Sequence, residues 1–255
     1  MARQCLFCPS PVNSKEHVFS NWIVKDLKHA EAIKATIGKK LSFYLAKPEI
    51  KVGVVCKSCN NTWMSNLETD NKPVIQAMVN DNPCSLTTEE QAVLSRWTVM
   101  KAMVVDAINS QRPLFYGSSE REQLRTLSTI PAGTLIWLGR LSAKAFHVGG
   151  TDVWGDIDKT PKAFHGCVTN IVMGHLVIQI FTGHAPSQLL PNGKLFVNCR
   201  PGKWETNLLD VWPTTADLHW PPPISLTLEG DNNVGKLVNR WKIGTNIGEI
   251  GERPK

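Results

Sequence analysis

Two Cys-x-x-Cys pairs, Cys5/Cys8 and Cys56/Cys59, frame the N-terminal part of the chain. Thiolates at that spacing form knuckles, and two knuckles suffice for one tetrahedral zinc. In a reducing compartment such pairs read as metal ligands rather than disulfides. The other three cysteines, Cys84, Cys167 and Cys199, are scattered and read as small buried hydrophobes. Inside the bracket, SKEHVFSNWIV sets a carboxylate beside an imidazole, Glu16-His17, and the second pair runs directly into Asn60-Asn61. An imidazole titrates near pH ~6.5 and can take a proton from water at neutrality. Each residue also has an ordinary role open to it: a structural histidine at 17, an acid at the start of the following helix at 16, a helix N-cap at 60.

The elements that must carry these residues are legible in outline. From Val18 to Leu27, the positions Phe19, Trp22, Ile23 and Leu27 have helical spacing. A basic, less regular insert spans Lys28 to Lys47, and IKVGVVC, Ile50 to Cys56, reads as a strand entering the second pair. CNNTWMSNLE then starts a helix expected to stop before Pro73. Trp22 and Trp63 fall on apolar faces and read as core.

Further along, Thr87-x-x-Glu90 is a capping box opening a long helix with Val93, Trp97, Met100, Val104 and Ile108 on one stripe. A shorter helix is expected from Ser119 to about Leu127. From Gly133 the period changes to that of strands: 134–141, 144–150, 166–174 and 175–182, with Gly174-His175 expected to turn a tight hairpin. Residues 185–225 are rich in Pro and Trp and read as extended surface chain, and a last helix is expected over Asn233 to Trp241. The fold class expected is therefore α+β: a cysteine-stapled unit over residues 1–75 and a helix plus antiparallel-sheet domain over 76–255.

Net charge is +6, and residues 1–75 hold nearly all of the excess. A basic patch able to face phosphate is expected there, with Lys15, Lys39, Lys40 and Lys57 as candidate contacts. The histidines at 147, 165, 175, 184 and 219 show no spacing that suggests a second metal site. No apolar run approaches the ~20 residues of a membrane span, and MARQCLFC lacks the apolar stretch of a secretory signal. A soluble cytoplasmic protein is expected, with no membrane partner and with self-association left open.

Taken together, CLFC, KEHVF, a strand, and CKSCNN launching a helix resemble the HNH endonuclease family, in the zinc-stapled form of the ββα-metal fold. The resemblance covers residues 1–75. It implies structural zinc on the four cysteines, His17 as general base, and a catalytic Mg²⁺ or Mn²⁺ held by Glu16 and Asn60, with Asn61 as the neighbouring-register choice. It also implies DNA, or RNA, as substrate. Three positions depart from the family pattern: Glu16 stands where Asp is usual, Asn60 replaces the final His, and no Asn lies between Trp22 and Cys59 to serve as the middle residue. The alternative reading is a zinc-ribbon binding module, for nucleic acid or protein, that keeps the scaffold without catalysis. A third places the activity in the β-rich region.

Overall fold

A computed structural model describes residues 3–26, 33–37, 41–45, 49–108, 113–157, 160–184 and 207–229, with the isolated positions 234 and 237. Lys39, Lys40, Cys199, most of the proline-rich stretch and, apart from positions 234 and 237, the expected last helix lie outside these residues.

The first layer is built on β1 (Ser14–His17) and β4 (Lys51–Val55), which pair antiparallel with Glu16 opposite Val52 and His17 opposite Lys51. The register slips between Ser14 and Glu16, so Lys15 sits in the irregularity, exposed. Between the two strands come a one-and-a-half-turn helix α1 (Asn21–Asp26) and the antiparallel pair β2 (Ile33–Ile37) and β3 (Leu41–Leu45). The stretch read from sequence as an irregular basic insert thus contains a regular ladder. Its alternation of Ile, Ala, Leu, Phe and Leu with polar residues carries the period of a strand.

β4 leads into the helical turn α2 (Lys57–Cys59), a π-helical turn over Asn60–Met64, and α3 (Ser65–Val79). α3 does not stop before Pro73 but carries it in its interior. A proline there forfeits one helical hydrogen bond, a cost of roughly 3 kcal/mol. The residues beyond it, Ile75, Met78 and Val79, are all fully buried, and each buried side chain contributes about 1.5–3 kcal/mol. Tertiary burial outweighs the local penalty.

β5 (Cys84–Leu86) precedes α4 (Thr88–Ile108), whose expected capping box is present: Thr87 N–H donates to Glu90 Oε2 (2.8 Å) and Glu90 N–H to Thr87 Oγ1 (3.2 Å). The expected apolar stripe widens here to the whole circumference, because every residue from Trp97 to Ala107 is buried. α4 is the central helix, with neighbours on all sides. α5 (Ser118–Leu127) begins one residue earlier than expected, its N-terminus tied by Gly117 N–H to Glu120 Oε2 (2.8 Å).

The sheet consists of β6 (Thr134–Ile157), β7 (Thr160–His184) and β8 (Leu208–Trp212), ordered β7-β6-β8 and antiparallel. Gly174-His175 makes no hairpin. β7 passes straight through it as one strand, and the ladder with β6 slips between Arg140 and Ala145. Gly174 takes φ +59° and His175 turns its Nδ1 onto the Leu141 carbonyl (2.7 Å), so the glycine serves a bulge. Four expected strands are in fact two long ones. They coil so strongly that β7 meets itself: Phe164 stacks on Phe181 at 5.8 Å, and Gln179 Nε2 donates to Asn170 Oδ1 (2.6 Å). Part of the Pro- and Trp-rich region, expected to be merely extended, forms β8 and β9 (Leu218–Trp220), the latter paired with β5.

One hydrophobic core runs from Phe7, Phe19, Val55 and Met64 through Ile75, Trp97 and Met100 to Ile136, Ile178 and Trp220. α3 crosses position 75, so residues on both sides of it share this core. The architecture is mixed helix and antiparallel sheet, an α+β arrangement.

Candidate functional site

The cysteine cluster forms where two backbone turns meet. At the first, Cys5 N–H donates to Ser10 O (2.8 Å), Val12 N–H to Arg3 O (2.8 Å), and Leu6 N–H to Val54 O on β4 (2.8 Å). At the second, Cys56 is the N-cap of α2 and its Sγ accepts from Cys59 N–H (3.4 Å). Asn13 Oδ1 accepts from Lys57 N–H (2.6 Å) and ties the two turns together.

The four Sγ atoms lie within 4.8 Å of one another, with Cys8–Cys56 and Cys8–Cys59 at 3.6 Å. A tetrahedral thiolate site with metal–sulfur bonds of about 2.3 Å has sulfur–sulfur edges of about 3.8 Å. These four cysteines therefore fit a metal ion, as the spacing led one to expect. Burial pushes the Cys5 and Cys59 thiols up. Burial acts on Cys8 too, but hydrogen bonds from Ser10, Cys56 and Cys59 bring it down to about 6. Four sulfurs this close cannot all ionise without a cation among them. Two guanidiniums reach the same loop from α5: Arg121 Nε donates to Leu6 O (2.7 Å) and Arg125 Nε to Phe7 O (2.9 Å).

Beside the cluster, the π-turn swings Asn60 back onto β1. Its Nδ2 donates to Ser14 Oγ (2.8 Å) and to Lys15 O (3.3 Å). Asn60 acts here as a cross-brace between the second knuckle and the strand bearing Glu16-His17. Asn61 is exposed and one position further round.

The strand period sends Glu16 and His17 to opposite faces. Glu16 points inward, buried, and its Oε1 accepts from Lys101 Nζ at 2.5 Å. Lys101 belongs to α4 and has no exposed side-chain surface; it also donates to the His17 backbone carbonyl (2.9 Å) and lies 4.0 Å from Glu68 Oε2 on α3. The Trp97 ring stands 5.7 Å from the ammonium. His17 points the other way. Its Nε2 makes no hydrogen bond among the described residues and sits 3.9 Å from Glu49 Oε1, which itself pairs with Lys51 at 2.5 Å.

Of the residues singled out from sequence, the structure gathers Lys15, Glu16, His17, Lys57, Asn60 and the four cysteines in one neighbourhood. Lys101, Glu68, Arg121 and Arg125 were not singled out. Lys101 did carry a signal, a lone cation inside the apolar run VMKAMVV. The arginines carried none, because a surface helix is full of such residues. Trp22 and Trp63 pack against the core, Trp63 edge-on to Phe7 at 4.9 Å.

No helix among the described residues is long and apolar enough to cross a membrane. Comparison with known protein families, with characterised proteins and with solved structures finds no match to the chain.

Proposed function

We propose that the chain is a nuclease: a phosphodiester hydrolase of the zinc-stapled ββα-metal kind acting on DNA, with His17 as general base. The observation that carries the reading is the Asn60 cross-brace, which joins the strand bearing His17 to the turn that follows the second cysteine pair. In this reading Zn²⁺ on Cys5, Cys8, Cys56 and Cys59 fixes the two turns, as a closed four-sulfur site does. The Nε2 of His17, buried and without a hydrogen-bond partner among the described residues, is to accept a proton from water as the water oxygen attacks phosphorus and the 3′ oxygen departs, taking a proton from solvent. The exposed Lys15 and Lys57 offset phosphate charge.

The resemblance also implies Mg²⁺ or Mn²⁺ bound by Glu16 and Asn60. Glu16 does not fit that assignment, because its carboxylate is already the counter-ion of a fully buried ammonium. Asn60 has its amide nitrogen engaged and its Oδ1 uncommitted among the described residues. No step is assigned to such an ion.

The same burial of Glu16, together with the Glu49–Lys51 pair over His17 Nε2, favours a second reading, a zinc-ribbon module that binds nucleic acid without cutting it. Supercoiled-plasmid cleavage by the zinc-loaded protein separates the two, run with Mg²⁺, with Mn²⁺ and with EDTA beside His17→Ala. Nicking lost in the variant is expected. Inert protein of both kinds that still shifts DNA in a gel would replace the nuclease with the binding module.

A further inference from the structure

We propose that Lys101 is the positioning residue of this site: planted by the central helix beneath β1, it holds the His17 peptide by its carbonyl and so aims the imidazole. This rests on the reading of His17 as the base.

A lysine is almost never fully buried unless paired, and replacing a buried ion pair by apolar residues of similar volume is often neutral or stabilising. Packing alone therefore gives no reason for an ammonium at position 101, where a methionine would fill the space. What an ammonium offers and a methionine does not is three donors in one place. Here one goes to Glu16 Oε1 (2.5 Å) and one to His17 O (2.9 Å), with Glu68 Oε2 at 4.0 Å on the third side.

The placement of that second bond matters. β1 is four residues long and ends at His17. Its ladder to β4 is irregular on the Ser14 side, and immediately beyond it Val18 N–H returns to Ile50 O (2.9 Å). The His17 peptide is therefore the last of a short, kinked strand, with its side chain on one face and Lys101 on the other. Glu16, held by the same ammonium, fixes the preceding residue. Two consecutive residues of β1 are thus anchored to one atom of α4, and rotation of the strand, which would swing the imidazole, is opposed at both. Misplacing a reacting group by about 1 Å can lower a rate about 100-fold.

The test uses the full-length, zinc-loaded protein and the double variant Glu16→Gln/Lys101→Met, which removes both buried charges together and so leaves neither unpaired. With wild-type protein that nicks plasmid, the variant is expected to lose about 100-fold in kcat with KM little changed, and its His17 imidazole resonances in ¹⁵N NMR shift from those of wild type. Retained kcat with unmoved His17 resonances overturns the proposal. If wild-type protein does not nick DNA at all, the nuclease reading fails separately. The His17 resonances then decide positioning alone: a shift in the variant supports it and no shift overturns it. Should the double variant not fold, the wild type still decides. A hydrogen-bond scalar coupling between Lys101 Nζ and the His17 carbonyl carbon is expected, and its absence in a slowly exchanging ammonium overturns the assignment.

Discussion

The Glu16–Lys101 pair makes a sharp thermodynamic prediction independent of any activity. Its side chains are 6% and 0% exposed, so neither charge can find water if the other is removed. Breaking such a pair by taking away one partner costs about 3–5 kcal/mol, and Glu16→Gln and Lys101→Met are each expected to lose that much. Were the effects independent, the double variant would lose about 6–10 kcal/mol, enough to unfold a domain whose whole stability is about 5–15 kcal/mol. It is not expected to. With both charges gone the remaining cost is that of two poorly satisfied groups, the Gln side chain at 16 and the His17 carbonyl that loses its ammonium donor, about 1–3 kcal/mol each. Methionine fills most of the lysine's volume. Urea denaturation of the four proteins at saturating zinc, with equal m-values as the condition for comparing them, gives the coupling energy directly. Additive losses would refute the reasoning, and so would single-variant losses below about 1 kcal/mol, which is what a solvent-screened pair shows.

Other consequences can be checked alongside. Purified protein is expected to carry one zinc per chain by elemental analysis, and Cys59→Ser to lose the metal and its cooperative unfolding transition, because a structural zinc contributes folding free energy directly. Gly133 has φ +75°, and a Cβ there would run into the Gly183 carbonyl oxygen. Gly133→Ala is therefore expected to cost about 2 kcal/mol or more in denaturation, since neither side of the clash is a movable side chain. Arg140 holds the Asp81 carboxyl below its ordinary value through a two-bond contact, Nε–Oδ1 at 2.7 Å and Nη2–Oδ2 at 2.5 Å. A depressed folded value contributes stability above the unfolded value of about 4 and loses it as pH falls further. Asp81→Asn should accordingly flatten the acid limb of a stability–pH curve and leave its neutral region little changed in slope.

How much of this was visible in the sequence differs from element to element. The cysteine brackets, the strand into Cys56 and the capping box at Thr87 were legible because each depends on neighbours a few residues away. Three features were not, each for a definite reason. Pro73 reads as a helix stop, and only the burial of Ile75, Met78 and Val79 reverses that. Gly174-His175 reads as a hairpin turn because a glycine between apolar runs is ambiguous; the facing stretch of the preceding strand β6, where the register slips between Arg140 and Ala145, makes it a bulge. The role of Glu16 was the most consequential. A carboxylate next to a histidine between two metal knuckles reads as a ligand. Its ammonium partner stands on a helix well outside the bracket, and nothing local to KEHVF announces it.

That long-range dependence bears on whether the cysteine-stapled unit can stand alone. Within residues 1–75 the local signals suggest an autonomous module. Three bonds argue otherwise: Lys101 to Glu16, Arg121 to Leu6 O and Arg125 to Phe7 O, all donated from beyond that boundary. A fragment cut at residue 80 would leave Glu16 facing an emptied space, strip two cationic donors from the loop between Cys5 and Cys8, and expose Phe19, Ile75 and Met78, which are now fully buried. Zinc could still close the two turns, but small domains that bury little apolar surface hold marginal stability. The fragment is therefore expected to bind one zinc and still give narrow amide dispersion and no cooperative melt. Adding back the helical stretch to about residue 127 supplies Lys101, Arg121 and Arg125 together, and some of the dispersion should return. A fragment of 80 residues that melts cooperatively with the chemical shifts of the intact chain would show that the bracket folds by itself, and that the central helix merely leans on a finished unit.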